Sequence, residues 1–345
     1  MRVLHLLRSS QFSGAENVAC QIIQMMKEHP EFEMAYCSAD GPIRDALEER
    51  QIPFIPLEKV TPKAVRRVIK EWKPDIIHAH DMYASTVAAC VCGTVKLISH
   101  IHNNNFDSRG ISAKAVIYRL AAMKAKHIFW VSKSAQDGYC FHKSLEKKSS
   151  ILHNIIDVQQ LEKKAEQAEN QDQYDIVYLG RLTYPKHPER LISVLKRVVE
   201  ANPAVQAAII GSGDMEAEVH KLIADNGLHE NVHCLGFMRN PYGILRNAKV
   251  MIMTSRWEGL PMCALEAQAL GVPIVSTPTD GLKELIEDGV DGFLSAENQI
   301  LAERILEIVN GEILHGQLSD CTKQKADRIN NQENYTACLK QRYTL

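Results

Sequence analysis

Apolar residues recur along the chain with two periods. Short runs of aliphatic and branched residues fall at 3–7, 33–37, 52–55, 76–80, 96–101 and 127–131. Longer stretches with a 3.6-residue apolar period separate them, at 15–27, 62–71 and 112–125. Strands alternating with helices predict parallel βαβ units. The pattern restarts in the second half. Strand-like runs at 175–180, 205–211, 232–235, 250–254 and 273–276 alternate with helical stretches at 188–201, 215–226, 242–247 and 263–270. These runs are almost continuously apolar, as in a sheet covered on both faces. Between the halves, residues 162–173 are rich in Lys, Glu and Gln and read as a linker. The expected architecture is α/β, with two doubly wound, Rossmann-like domains at 1–165 and 174–325. A polar-rich helical tail follows from 301 onward.

Length and composition agree with this reading. The 345 residues exceed one ordinary domain, and 45% apolar with 24% charged residues is a globular composition. No apolar run is long enough to span a bilayer. The apolar stretch at 1–7 is too short for a signal peptide. The nine cysteines are odd in number and include no Cys-x-x-Cys pair, so reduced thiols in a cytoplasmic protein are expected. The net charge of −2 divides into +6 for residues 1–165 and −8 for the remainder. That excess carries no nucleic-acid reading motif, and nucleic acid is excluded as a partner. The stretch 62–73 holds Lys63, Arg66, Arg67, Lys70 and Lys73. Such a basic face suits peripheral contact with an anionic membrane.

Candidate chemistry concentrates in the loops after strands, where doubly wound sheets bind ligands. With two such domains, the cleft between them is the expected site. Ser255-Arg256-Trp257-Glu258-Gly259-Leu260-Pro261 follows an apolar run and opens a helix. Pro261 suits a first helical position, and the amides of Gly259 and Leu260 suit phosphate. Glu266 lies on that helix among Ala264, Leu265, Ala267 and Ala269. A carboxylate so packed needs hydrogen-bond donors, which ribose hydroxyls would supply. Arg181 and Lys186 share one short loop, and two cations there fit a pyrophosphate. Gly211-Ser212-Gly213-Asp214 resembles half a nucleotide loop, but the full Gly-x-Gly-x-x-Gly is absent, which speaks against a nicotinamide oxidoreductase. His78 and His80 share one strand face, as do His100 and His102. Four histidines could hold zinc. With no Cys pair, His-Glu-x-x-His or Asp-x-Asp beside them, the expectation is no metal. His102, at a strand end with Asn103 following, is the histidine read as functional.

Together these motifs resemble glycosyltransferase family 4, retaining enzymes of the GT-B fold. The most specific part is Glu258 to Glu266, the family's Glu-x7-Glu motif, followed by Leu270-Gly271-Val272-Pro273-Ile274-Val275. Supporting matches are Ser13-Gly14-Ala15-Glu16, Pro74-Asp75-Ile76-Ile77-His78-Ala79-His80, Gly180-Arg181-Leu182 with Lys186, Ile210-Gly211-Ser212-Gly213, and Asn231-Val232-His233-Cys234-Leu235-Gly236-Phe237. The resemblance implies two domains facing across a cleft, with a C-terminal helix, 326–345, returning to the first. It implies that Arg181 and Lys186 bind the donor pyrophosphate with the amides of Gly259 and Leu260 on the phosphate side, and that Gly211 belongs to the donor site. Glu258 would meet the donor sugar, Glu266 the ribose, and Gly14 would admit the diphosphate to the first domain. His102 looks like the family's histidine near the transferred sugar; the family's usual acidic neighbour is replaced here by Asn103.

The function expected is transfer, with retention and without metal or other cofactor, of a sugar from a nucleotide-diphosphate sugar to a hydroxyl. A uridine diphosphate sugar is the favoured donor. A glycan or lipid-linked glycan in cell-surface polysaccharide synthesis is the favoured acceptor. Two alternatives are weighed: a nucleotide-sugar epimerase of the same fold, and a non-catalytic nucleotide-sugar-binding subunit. The second would lack the paired glutamates and cations.

Overall fold

The computed structural model describes residues 1–103 and 106–344. The chain forms two compact units, Met1–Ile155 with Asn331–Leu345, and Ile156–Asn330. The first is built on seven parallel strands: β1 (Arg2–Leu6), β2 (Glu33–Ala39), β3 (Phe54–Leu57), β4 (Ile76–His80), β5 (Lys96–Ile101), β6 (His127–Trp130) and β7 (Ser149–Ile151). Their spatial order is β3-β2-β1-β4-β5-β6-β7. The second carries six: β8 (Ile176–Leu179), β9 (Ala207–Ile210), β10 (Val232–Gly236), β11 (Val250–Met253), β12 (Ile274–Ser276) and β13 (Gly292–Leu294). Their order is β10-β9-β8-β11-β12-β13. Every pairing is parallel, so each strand returns through a crossover, in most cases helical. In each unit the order reverses at the first strand, between β1 and β4 and between β8 and β11. Those reversals are where loops diverge and leave a crevice for a ligand.

Side-chain caps set where several helices begin. Thr61, Asp81, Ser112, Ser132 and Asp157 each accept a hydrogen bond from the amide three residues on, which satisfies a donor the helix cannot. The helix Met82–Val91 escapes sequence periodicity because it is apolar nearly all round, with Ala84, Ser85, Val87, Ala88 and Ala89 buried. The short strands β7 and β13 escape it because three residues show no period.

Two boundaries differ from the sequence expectation. The stretch read as a linker contains most of a helix, Val158–Glu166, that belongs to the second unit. Leu161 and Ala165 are buried, and the helix packs on Tyr242–Asn247 and Met262–Ala269. A narrow apolar stripe suffices to dock it, although its other faces are polar. The first unit's main segment accordingly ends at Ile155 rather than 165. The tail from 301 runs through three helices, Asn298–Asn310, Glu312–Ile329 and Gln332–Thr344, and the last begins at Gln332 rather than 326. Ala326 is fully buried in the second unit, and the Asn330 side chain accepts from the Ile156 amide at 2.9 Å. Only the last helix joins the first unit, where the Tyr343 hydroxyl meets His78 Nδ1 at 2.7 Å. Among the described residues, no helix is long and apolar enough to cross a membrane.

Candidate active site

In the second unit, the reversal between β8 and β11 brings together residues far apart in sequence. The loop after β8 carries Arg181 and Lys186; the loop after β11 carries Glu258. Lys186 Nζ donates to Glu258 Oε1 at 2.5 Å, and Ser255 Oγ donates to the same oxygen at 2.6 Å. Burial alone would depress the Lys186 ammonium. The facing Glu258 carboxylate outweighs it and holds Lys186 above its ordinary value. Arg256 ties the two loops together. Its amide donates to Pro185 O at 2.8 Å, its guanidinium to Tyr184 O at 2.6 Å, and it stacks on the Tyr184 ring at 4.0 Å.

The helix after Glu258 is Met262–Ala269, where the sequence pattern gives 263–270. Pro261 is its N-cap, in extended conformation at ψ 127°, rather than its first helical residue. Glu266 sits on this helix, 8% exposed, and its Oε1 accepts from the Tyr242 hydroxyl at 3.0 Å. Burial raises its carboxyl, with the Tyr242 hydrogen bond and the Lys164 charge opposing. Burial likewise pushes the Cys263 thiol up to about 12, so it stays neutral beside Lys186, Glu258 and Glu266.

Glycines let the loops close on one another. Gly211 has φ +138°, and a Cβ there would lie 2.0 Å from Gly180 O. At Gly213 a Cβ would lie 2.2 Å from Leu182 O, and at Gly281 1.6 Å from Gly259 O. Thus Gly259 and Leu260 are buried, with the Gly259 carbonyl pressed against the turn at Gly281. Arg181 is exposed; its carbonyl accepts from the Tyr178 hydroxyl at 3.0 Å. Ser255, Tyr242 and Gly281 have no role in the sequence reading. Ser255 and Arg256 stood inside the quoted motif. Nothing in sequence linked Tyr242 to a glutamate 24 residues away.

In the first unit, Gly14 opens the helix Gly14–Met25 after the β1 loop. An added Cβ there would meet nothing within 4 Å, so chain packing does not require glycine. His102 follows β5 directly and is 7% exposed. It ends a cluster of five buried imidazoles on one sheet face. His5 pairs with His78 across β1 and β4, and His80 with His100 across β4 and β5. Burial drives His5 and His102 down to about 3, and His78, His80 and His100 well below the ordinary value.

Two trios, His5–His78–His80 and His80–His100–His102, bring ring nitrogens within 4.8 Å of one another. His5 Nδ1 to His80 Nε2 and His80 Nδ1 to His102 Nε2 are each 2.9 Å. Nitrogens bound to one tetrahedral zinc at ~2.1 Å stand about 3.4 Å apart. The contacts are therefore those of imidazoles bonded to one another.

Comparison with known proteins gives this geometry a family. The description "Glycosyltransferase Family 4" matches residues 12–160, and "Glycosyl transferases group 1" matches residues 159–327. The chain is 29% identical to an uncharacterised glycosyltransferase of Methanocaldococcus jannaschii, over 62% of this chain and 58% of that one. It is 21% identical to the UDP-Gal:alpha-D-GlcNAc-diphosphoundecaprenol alpha-1,3-galactosyltransferase of Escherichia coli, over 96% and 93%. The Anabaena HepE structure in complex with UDP-glucose superposes with a TM-score of 0.84 at 22% identity, covering 99% and 100%. Matched along nearly its whole length by two successive domains in this order, the chain belongs to glycosyltransferase family 4 and has the GT-B fold.

Proposed function

We propose that the protein transfers a sugar, with retention of configuration, from a nucleotide-diphosphate sugar to a hydroxyl of a glycan or lipid-linked glycan. The observation that carries this is the buried Lys186–Glu258 pair at the strand-order reversal of the second unit, with Glu266 one helix away. A lysine ammonium has three donors. One is bonded to Glu258, and the others suit a diphosphate whose charge grows as it departs. Arg181 adds a second cation, and Gly211, Gly259 and Leu260 line the same loops. Glu258 then meets the sugar and Glu266 the ribose. The same reading gives Gly14 the diphosphate and His102 the sugar. No resident metal or cofactor is part of this reading.

The donor proposed is a uridine diphosphate sugar. The UDP-glucose complex of HepE and the UDP-Gal in the name of the E. coli relative support it. That relative's name also specifies a diphosphoundecaprenol acceptor, which supports a lipid-linked glycan here. Cell-surface polysaccharide synthesis on the cytoplasmic face of a membrane would follow. Two helices of the first unit suit such a surface. Pro62–Trp72 exposes Lys63, Arg66, Arg67 and Lys70 on one stripe. Ala113–Lys124 exposes Ile117, Leu120 and Met123 at 51%, 62% and 63%. Both pack on Met82–Val91. Flotation with anionic but not zwitterionic vesicles is expected; flotation with neither removes membrane contact from the reading.

Lys186→Ala or Glu258→Ala should each lower transfer from UDP-sugar roughly 100-fold or more, the scale of one electrostatic contact in a closed site. Near-normal turnover in both would reject the assignment. Donor isomerised in the absence of acceptor would mark an epimerase instead. Activity should persist in chelator, and its loss would overturn the metal-free reading.

A further inference from the structure

The loop after β11 is held from both sides. Thr254 Oγ1 donates to His187 O at 3.1 Å, and Thr277 Oγ1 donates to Ser255 O at 2.8 Å. The Ser255 backbone is thereby fixed to the turn after β8 and to the end of β12. Ser255 is 4% exposed. Among the described residues its hydroxyl makes one bond, to Glu258 Oε1 at 2.6 Å.

Lys186 Nζ donates to that same oxygen at 2.5 Å. A carbonyl-type oxygen has two lone pairs, so these two donors fill Oε1. No donor among the described residues reaches Glu258 Oε2, and that atom is not sealed from solvent. The carboxylate thus keeps one oxygen satisfied inside the loop and the other open to a donor that the chain does not supply. Lys186 alone does not impose this. An ammonium bonds either carboxylate oxygen, or both, and the last torsion of a glutamate turns easily. A second donor, on a backbone fixed to two other strand ends, selects one orientation.

We infer that Ser255 is a positioning residue: with Lys186 its hydroxyl holds Glu258 Oε1, so that Glu258 accepts from a hydroxyl of the donor sugar through Oε2 alone. Ser255 is enclosed and acts on the sugar only through this carboxylate. Without it, the carboxylate turns to share both oxygens with Lys186, and the sugar hydroxyl competes with the ammonium for Oε2. The inference rests on the proposed donor reading, in which Glu258 meets the sugar.

The test is titration calorimetry on the full chain without acceptor. The probes are UDP, then UDP-glucose, UDP-galactose and UDP-N-acetylglucosamine, then the 3-deoxy, 4-deoxy and 6-deoxy analogues of whichever sugar nucleotide binds. In the native chain, one of these deoxy analogues should bind about tenfold more weakly than its parent, the scale of a hydrogen bond to a charged group. Ser255→Ala should weaken the parent donor about tenfold and leave UDP alone unchanged. In that variant the penalty for the same deoxy analogue should shrink to about twofold or less, because two changes that remove one contact are not additive. A deoxy penalty that stays the same in Ser255→Ala, an equal loss of UDP and UDP-sugar affinity, or a native chain indifferent to every deoxy analogue would each overturn the inference while leaving the donor reading in place. Failure of the native chain to bind any of the three sugar nucleotides would overturn both. Should Ser255→Ala not fold, Ser255→Cys keeps the volume with only a weak S–H donor and carries the same comparison.

Discussion

A buried charge persists only where something near it compensates, and Lys186 shows how closely that can be arranged. Its ammonium and the Glu258 carboxylate stabilise each other at 2.5 Å, with side chains only 16% and 10% exposed. Removing one partner strands the other charge, so each variant loses more than a contact. The imidazoles avoid that cost by staying neutral, which ties stability to pH. His5 and His102 have folded values near 3, far below the ordinary 6.5 of an unfolded chain. Between those limits the unfolded state binds more protons. Their contribution is therefore present above pH 6.5 and is lost as pH falls toward 3. Each ring should cost about 1.4 kcal/mol per pH unit below 6. Urea unfolding between pH 5 and 7.5 should show this slope, reduced in His5→Asn by one ring's contribution. A stability that is flat with pH across that range would contradict the burial argument.

At the scale of elements, glycines decide how near two loops can stand. Gly281, second residue of the helix Asp280–Leu285, allows the start of that helix to rest on the Gly259 carbonyl, and a methyl group there would fall 1.6 Å from that oxygen. Gly281→Ala should cost about 1–3 kcal/mol or more by overpacking and raise donor KM by displacing the Glu258 loop. Gly14→Ala should leave the melting temperature unchanged, because nothing lies within 4 Å of the added carbon. If the diphosphate approaches Gly14, that variant loses kcat/KM while remaining fully folded. Thermal unfolding and steady-state kinetics on the two variants separate loop closure from ligand approach. Unchanged kinetics in Gly14→Ala would remove Gly14 from the donor site.

For the whole molecule, the chain does not divide where its composition changes. The second unit begins at Ile156, and the last helix leaves it at Asn331 for the first unit. There Tyr335, Leu339 and Tyr343 are buried. Tyr343→Ala should destabilise the first unit by about 3–5 kcal/mol, as for other large aromatic truncations in a core. Hydrogen exchange should rise in β1, β4 and β5 and stay unchanged in β8, β9 and β11. Equal loss of protection in both sheets would show that the helix supports the two units alike.

The strand and helix periods were legible because parallel strands buried on both faces must be continuously apolar, and helices covering them must carry one apolar stripe. The Glu-x7-Glu motif, the Arg181–Lys186 loop and the shared faces of His78 with His80 and His100 with His102 were legible for the same local reason. Spacing within one element fixes which side chains stand together. Contacts between elements needed the folded sheet. Strand order placed Glu258 on Lys186, the packing of Tyr242–Asn247 put a hydroxyl on Glu266, and register gathered five separate histidines on one sheet face. A docked helix with a narrow apolar stripe looked like a linker, and the helix that returns to the first unit was read from 326 where it starts at Gln332. Sequence alone determined the periods, the turns and the residue types available for chemistry. Tertiary structure alone decided which of them meet, because parallel strands pair through crossovers whose spatial order the local pattern does not encode.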